Sequence, residues 1–445
     1  MARKLGDSAF GVFTFGFAFA TLVTALGGFG QDVVLIRDVA RDRSQLHRYF
    51  FNTLLLKSVL ALPALLVSSA LAFALGVEGE TRWVVLLLGL AVVADLLTLT
   101  CLAVFQAFER LVYMPIVLVS QRAVTAVVGI AALFAGAGVV TVSAIYAAAA
   151  GVAFVLALAL VFRRIGRPRM LVDPHSWWPF MRVAAPIGLA GVFGTVLFRV
   201  DTAILASFES DEVVGEYGAA FRLFEATLFV SWSAGTAVYP VLSRLTPETN
   251  PALASLFDRS LKLVVALTLP VAVAAAVLGG PLVELVYGSG FEESGDALVL
   301  LAPAIAFYPV AHIAGVFLYA RDRQLAMVTV YGIAAAVNLV LNLILIASFS
   351  LDGAAMAASL TWVLLAAALL ELAAATGGGI VVGRTSGGPL LGAAVAGVAM
   401  VALRGEVLVA LLVGTMLYLV VLVGYERRFH PEDAGALADF LRVRR

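Results

Sequence analysis

The chain has 445 residues, of which 62% are hydrophobic and 13% charged, with a formal net charge of zero and a mean hydropathy of +1.04. So apolar a composition excludes a soluble globular domain. The charge balance argues against a nucleic-acid partner, and the single cysteine, Cys101, excludes an intrachain disulfide.

Thirteen apolar runs fill the sequence, at 9–31, 49–76, 82–105, 112–136, 139–162, 180–206, 215–240, 262–287, 295–320, 324–349, 353–378, 388–403 and 406–425. A hydrocarbon core of roughly 30 Å is crossed by about 20 helical residues. Backbone polar groups cannot go unpaired in lipid, so spans of this kind are predicted to be helices. Barrel strands would alternate polar and apolar residues over short stretches, whereas these runs are continuous. No cleavable signal sequence is expected ahead of the first span. The longest loops, 32–48, 163–179 and 241–261, all carry arginine.

Basic residues alternate by side. The side holding the N-terminus carries four: Arg3, Lys4, Arg82 and Arg404. The other carries twenty-one, concentrated around Arg37 to Arg48, Arg163 to Arg182, Arg244 to Lys262, Arg321 and Arg323, and in the C-terminal tail. The positive-inside rule then predicts a multi-pass protein of the cell membrane with a cytoplasmic C-terminus. Loops on the opposite side are acidic, with Glu209, Asp211, Glu212 and Glu216 in one and Glu292, Glu293 and Asp296 in another. The tail 431–445 is expected to form an amphipathic helix, with Leu437, Phe440 and Leu441 on one side and arginines suited to an anionic leaflet.

Residues 7–13 and 211–217 echo each other at an offset of 204. Each opens an apolar helix with an acidic residue (Asp7, Asp211), a glycine four later (Gly11, Gly215) and an aromatic two after that (Phe13, Tyr217). Transporters are often built from two such related bundles. A full span, 180–206, precedes the second copy; no equivalent span precedes the first. The expectation is thirteen spans here from a plan of fourteen, either because the sequence starts late or because the protein works with thirteen.

Leu5-Gly6-Asp7-Ser8-Ala9-Phe10-Gly11-Val12-Phe13 resembles a segment that follows the first helix of polysaccharide biosynthesis proteins, the O-antigen-type flippases of the multidrug/oligosaccharidyl-lipid/polysaccharide exporter superfamily. Phe29-Gly30, Ile36-Arg37-Asp38-Val39-Ala40-Arg41 and Val214-Gly215-Glu216-Tyr217-Gly218-Ala219-Ala220 are similar to that family as well. The resemblance implies an all-α polytopic membrane protein with two pseudo-symmetric helical lobes around a central cavity. It implies an N-terminal lobe at 1–162, a cytoplasmic connection at 163–179, a C-terminal lobe at 180–378, two accessory helices at 379–425 and a cytoplasmic tail at 426–445. It further implies alternating-access movement of a polyprenyl-(pyro)phosphate-linked oligosaccharide across the lipid bilayer, with Na+ or H+ as the coupling ion. No cofactor, metal or catalytic residue is implied. The family's first helix lines the cavity and has no counterpart among these runs.

A charge at mid-bilayer costs at least ~2.5 kcal/mol on insertion scales, so intramembrane charges are functional candidates. Arg199 and Arg222 sit at similar depths in successive spans, and a guanidinium fork matches phosphate oxygens. Asp201 and Glu225 are their candidate partners, and Glu225 shares a helix face with Arg222. Asp95 and Arg122 are expected to form an ion pair near mid-membrane. Lys57 is expected to snorkel to the cytoplasmic end of its span. His312 and Glu371 are candidates for proton relay, and Asn338 and Asn342 for helix joining. Pro63, Pro186, Pro270, Pro303 and Pro309 each invite a kink.

Three other activities compete with a flippase. A cation-coupled multidrug exporter would favour acidic, aromatic-lined cavities over arginines. A membrane glycosyltransferase or polymerase would need a larger loop domain than the short outward loops supply. A scaffold without transport activity would have little use for charges within the spans.

Overall fold

The computed structural model describes residues 2–74, 79–244, 252–378 and 382–430. Every regular element among them is helical. A short turn, α1 (Ala2–Leu5), leads into α2 (Asp7–Thr24), α3 (Gln31–Arg41), α4 (Leu46–Ala74), α5 (Glu80–Ala107), α6 (Tyr113–Phe134) and α7 (Val139–Leu160). Then come α8 (Trp177–Phe208), α9 (Asp211–Arg244), α10 (Ala252–Tyr287), α11 (Glu293–Ala320), α12 (Gln324–Ala375), α13 (Val382–Ala402) and α14 (Val407–Phe429). The tail 431–445, expected to be amphipathic, lies outside the described residues.

Nine of the described helical stretches are long and apolar enough to cross a bilayer. One of them, α12, is 52 residues long and holds two of the expected spans. It breaks at Ser350, whose backbone is non-helical at φ 53, ψ −130, between the spans placed at 324–349 and 353–378. Asp7–Leu22 and Ser386–Ala402 are shorter apolar helices. The 34-residue α9 is long enough to span but carries Arg222 and Glu225 in its interior.

The first span departs from expectation. The run at 9–31 ends as a helix at Thr24, passes through a 3-10 turn at Ala25–Gly28 and stops at Gly30, where φ is 73. A side chain at Gly30 would be strained by that φ and would meet the Ala184 carbonyl. The separate helix α3 that follows has Val34, Leu35 and Val39 buried along one face. Of the prolines inside helices, the break in α10 falls at Leu278, three residues before Pro281, rather than at Pro270. Pro281 supplies no backbone donor and crowds the preceding turn.

Two compact units emerge. The first comprises Met1–Gly218 and Tyr331–Leu343. Within it α5 is central, packing against α2, α4 and α7. Its core brings Leu35, Phe50, Cys101 and Phe105 together with the small residues Ala153 and Ala157 of α7, which permit close helix approach. The chain leading into α8 is pinned to α4 by Asn52. That amide donates to the carbonyls of Arg48 (2.6 Å) and Leu171 (2.7 Å) and accepts from the Asp173 N–H (2.9 Å) and the Trp177 indole (2.7 Å). All four hydrogen-bonding positions of a buried amide are thereby used.

The second unit comprises Ala219–Val330 and Ile344–Arg445. Here α10 packs against α11 and α13, and α13 against α14. Tyr418 of α14 donates to the Ala266 carbonyl of α10 at 2.6 Å. Lys262 of α10 pairs with Glu426 of α14, and His430 lies 3.4 Å from the same carboxylate. Charge therefore fastens the last helix at one end and a tyrosine hydroxyl fastens it further along.

Candidate functional site

The candidate charges fall into separate local arrangements. In the first unit, Asp201 of α8 is 1% exposed. It accepts hydrogen bonds from the Tyr217 hydroxyl (2.5 Å) and from the Thr202 N–H (2.6 Å). The aromatic residue of the second echo segment is thus the carboxylate's direct partner. Arg199, two residues earlier, places its guanidinium 5.2 Å from the centroid of the Phe17 ring of α2. That is cation–π distance, and the attraction strengthens where water is excluded.

In the second unit, Arg222 and Glu225 pair as expected along one face of α9, at 2.9 Å, with side chains 34% and 17% exposed. Tyr287 of α10 lies within electrostatic reach of both. The pair is partly open, so it can present charge to a ligand as well as to itself.

Two expectations are corrected. Asp95 does not take Arg122 as its direct partner. Its carboxylate accepts from the Gln121 amide at 2.7 Å, while the Arg122 side chain is exposed. Adjacent residues on a helix point about 100° apart, so Gln121 takes the direct contact while Arg122 acts on Asp95 only through its charge. Lys57 does not snorkel. It is 0% exposed, and its ammonium donates to Asp32 (2.6 Å) and to the Leu96 carbonyl (2.9 Å). Thr100 donates to the other oxygen of Asp32 at 3.0 Å. Asp32 falls in the expected loop 32–48, and the pairing across α3, α4 and α5 carries no spacing signal. The only hint was a lysine inside an apolar run.

The remaining candidates lie on α11 and α12. His312 stacks on Tyr308 with centroids 5.8 Å apart, and the Tyr308 hydroxyl accepts from the Trp232 indole at 2.7 Å. Asn342 donates to the Asn338 side chain (3.1 Å) and carbonyl (2.9 Å) along α12. Glu371 is exposed. Among the described residues no cluster of three His, Cys, Asp or Glu could hold a metal ion.

Outside the spans, Asp38 of α3 receives Arg37 Nε at 2.8 Å and the Tyr49 hydroxyl at 2.7 Å. Partial burial alone would raise its carboxyl, but these two hydrogen bonds and the charges of Arg37 and Arg41 hold it below the usual 3.8. Asp211, at the start of α9, is pushed the other way by burial and by the charge of Glu212.

Comparison with known proteins follows the same lines as the geometry. Residues 186–344 match the MatE family. The chain is 25% identical over 233 residues to the probable low-salt glycan biosynthesis flippase Agl15 of Haloferax volcanii. That match covers 52% of this chain and about half of the relative, 48% of its length. Among solved structures, lipid II flippase MurJ in an inward closed conformation superposes with a TM-score of 0.76 at 13% identity, covering 96% of this chain and 93% of that one. An inward-facing multidrug resistance MATE family transporter gives 0.67 at 14% identity, covering 84% and 95%. These structural likenesses establish the all-α fold. Residues 1–246 match the sequence model described as polysaccharide biosynthesis protein, and over that majority of its 445 residues the chain belongs to this family.

Proposed function

We propose that the protein is a transporter that moves a polyprenyl-(pyro)phosphate-linked oligosaccharide across the cell membrane by alternating access. The observation that carries the reading is the Arg222–Glu225 pair, a partly open guanidinium held within a helix of membrane-spanning length. A fork held by a neighbouring carboxylate is oriented for phosphate oxygens before substrate arrives. Arg199, over the Phe17 ring, is a second guanidinium suited to the same chemistry. Asp201 and Asp95, held by Tyr217 and Gln121, are assigned supporting roles, and Arg122 is assigned that of a charge on the exposed side of α6. Family membership and the flippase name of the Haloferax volcanii relative agree with this substrate class.

In this reading residues 1–162 and 180–378 are the transport lobes and 163–179 the cytoplasmic connection. Residues 379–425 are an accessory pair of helices and 426–445 a cytoplasmic tail. Na+ or H+ drives the cycle. A second reading, a cation-coupled multidrug exporter, is favoured by the MatE match over residues 186–344.

The test is export of the sugar lipid in cells. Arg222→Ala is expected to reduce export at normal protein level, and Arg222→Lys to restore it only in part, because an ammonium lacks the bidentate fork. The double variant Arg222→Ala with Glu225→Gln removes the stranded carboxylate. Full export by a well-expressed double variant would assign the pair a purely structural role and remove the basis of the proposal.

A further inference from the structure

The first unit holds a cavity of about 190 Å³ where α3, α4 and the start of α8 meet. The charge distribution assigns this face to the cytoplasm. Its floor is apolar, made by Val34 and Phe180, and its rim carries Arg37, Asp38, Arg48, Tyr49 and Ser176. The walls are fixed. Asn52 ties the chain before α8 to α4 through four hydrogen bonds, and Tyr49 packs its ring on Phe180 at 5.2 Å between centroids.

The charges at the rim do not cancel. Arg37 commits Nε to Asp38, which orients the guanidinium and leaves its terminal amino groups outside that contact. Arg48 forms no ion pair among the described residues; its guanidinium rests 6.0 Å from the Tyr49 ring centroid. The rim therefore carries two arginines and one carboxylate, and only Arg37 is paired with it. Val183 of the lining is 47% exposed, and Trp178, next in sequence to the lining residue Pro179, is 73% exposed. An exposed tryptophan at the end of a span suits the headgroup level of a bilayer.

We propose that this cavity binds the anionic phosphate headgroup of a membrane lipid, gripped by Arg37 and Arg48, with the acyl or prenyl chain running along the exposed apolar surface beside it. Basic pockets between spans on the cytoplasmic side are suited to such headgroups, and arginine forks match phosphate oxygens. The volume lies below the ~300–1,000 Å³ of sites for drug-sized ligands. It admits a phosphate with a few further atoms, and the rest of the ligand lies outside it. Asp38 opposes the anion and limits its affinity. The inference does not depend on the transport reading, because binding is measured on the isolated protein.

The experiment follows thermal unfolding of the full-length protein in neutral detergent during titration with three lipids: short-chain phosphatidylglycerol, a polyprenyl phosphate and short-chain phosphatidylcholine. A ligand that binds the folded state raises its stability in proportion to occupancy. The two anionic lipids are expected to stabilise the protein and phosphatidylcholine to do so much less. A stronger response to one anionic lipid identifies the source of the phosphate. Arg37→Gln with Arg48→Gln is expected to weaken binding by roughly tenfold or more, since two charge-assisted contacts are lost. Asp38→Asn is expected to tighten it. If the double variant does not fold, Arg48→Gln alone carries the test, because that side chain makes no ion pair among the described residues. Equal stabilisation by phosphatidylcholine, or unchanged affinity in the arginine variants, overturns the proposal.

Discussion

Gly11 and Gly215 face each other where α2 crosses α9, and each occupies the other's place in the contact. A side chain at Gly11 would strike the Asp211 carbonyl and approach the Gly215 N–H, and one at Gly215 would strike the Asp7 carbonyl and approach the Gly11 N–H. The two positions are equivalent in the echo between residues 7–13 and 211–217. Contacts that exchange in this way are the mark of a two-fold interface, here between two segments of one chain. The next pair along, Thr14 and Gly218, is also in contact.

This crossing sets the first prediction. Gly11→Ala or Gly215→Ala inserts a methyl against backbone that has no side-chain freedom to yield, so each should destabilise by about 1–3 kcal/mol or more. Gly129→Ala is the control. It sits within α6 with open space around its missing Cβ, and alanine there should be neutral or stabilising by up to about 1 kcal/mol. Thermal unfolding of the purified protein in detergent measures all three. A tolerated Gly11→Ala would mean that the helices can separate at the crossing without loss.

Lys57 and Asp32 give the second. Removing one partner of a buried ion pair leaves an uncompensated charge and costs about 3–5 kcal/mol. Lys57→Met and Asp32→Asn should each lower stability strongly. The double variant should recover most of the loss, because the desolvation cost of both charges disappears. If the double variant is as unstable as the sum of the singles, the pair is not coupled in the way the 2.6 Å contact indicates.

The third concerns acid. Asp38 has its carboxyl held below 3.8 in the folded protein. A depressed acid contributes stability above its unfolded value and loses it as the pH falls through the folded one. The stability difference between the wild type and Asp38→Asn should therefore hold steady from about pH 7 to 5 and shrink below about pH 4. Chemical denaturation across that range measures it. A difference that shrinks already at neutral pH would assign the effect to another group.

Orientation gives the fourth. In a Cys101→Ser background, Ser210→Cys between α8 and α9 should react with an impermeant thiol reagent applied to intact cells. Arg167→Cys, in the chain between α7 and α8, should not react until the cells are opened. Both native side chains are exposed, so a difference in labelling reports the side of the membrane. Rapid labelling at position 167 from outside would reverse the assignment made from the arginine distribution.

The sequence by itself determined the helical class, the positions of most spans and the family. The first two rest on local composition, since an apolar run long enough to cross a bilayer must close its own hydrogen bonds wherever its neighbours lie, and the family rests on short motifs such as Leu5–Phe13. The division of α12 at Ser350 and the Arg222–Glu225 pair were legible for the same reason, since both depend on residues within one helix. Only tertiary structure decided which group each buried charge meets. Asp95 turns to Gln121 rather than Arg122, Asp201 to Tyr217, and Lys57 inward to Asp32. Each of these choices joins residues on different helices, where packing fixes which face is turned inward. A short stretch of sequence holds no record of the surface that will be packed against it.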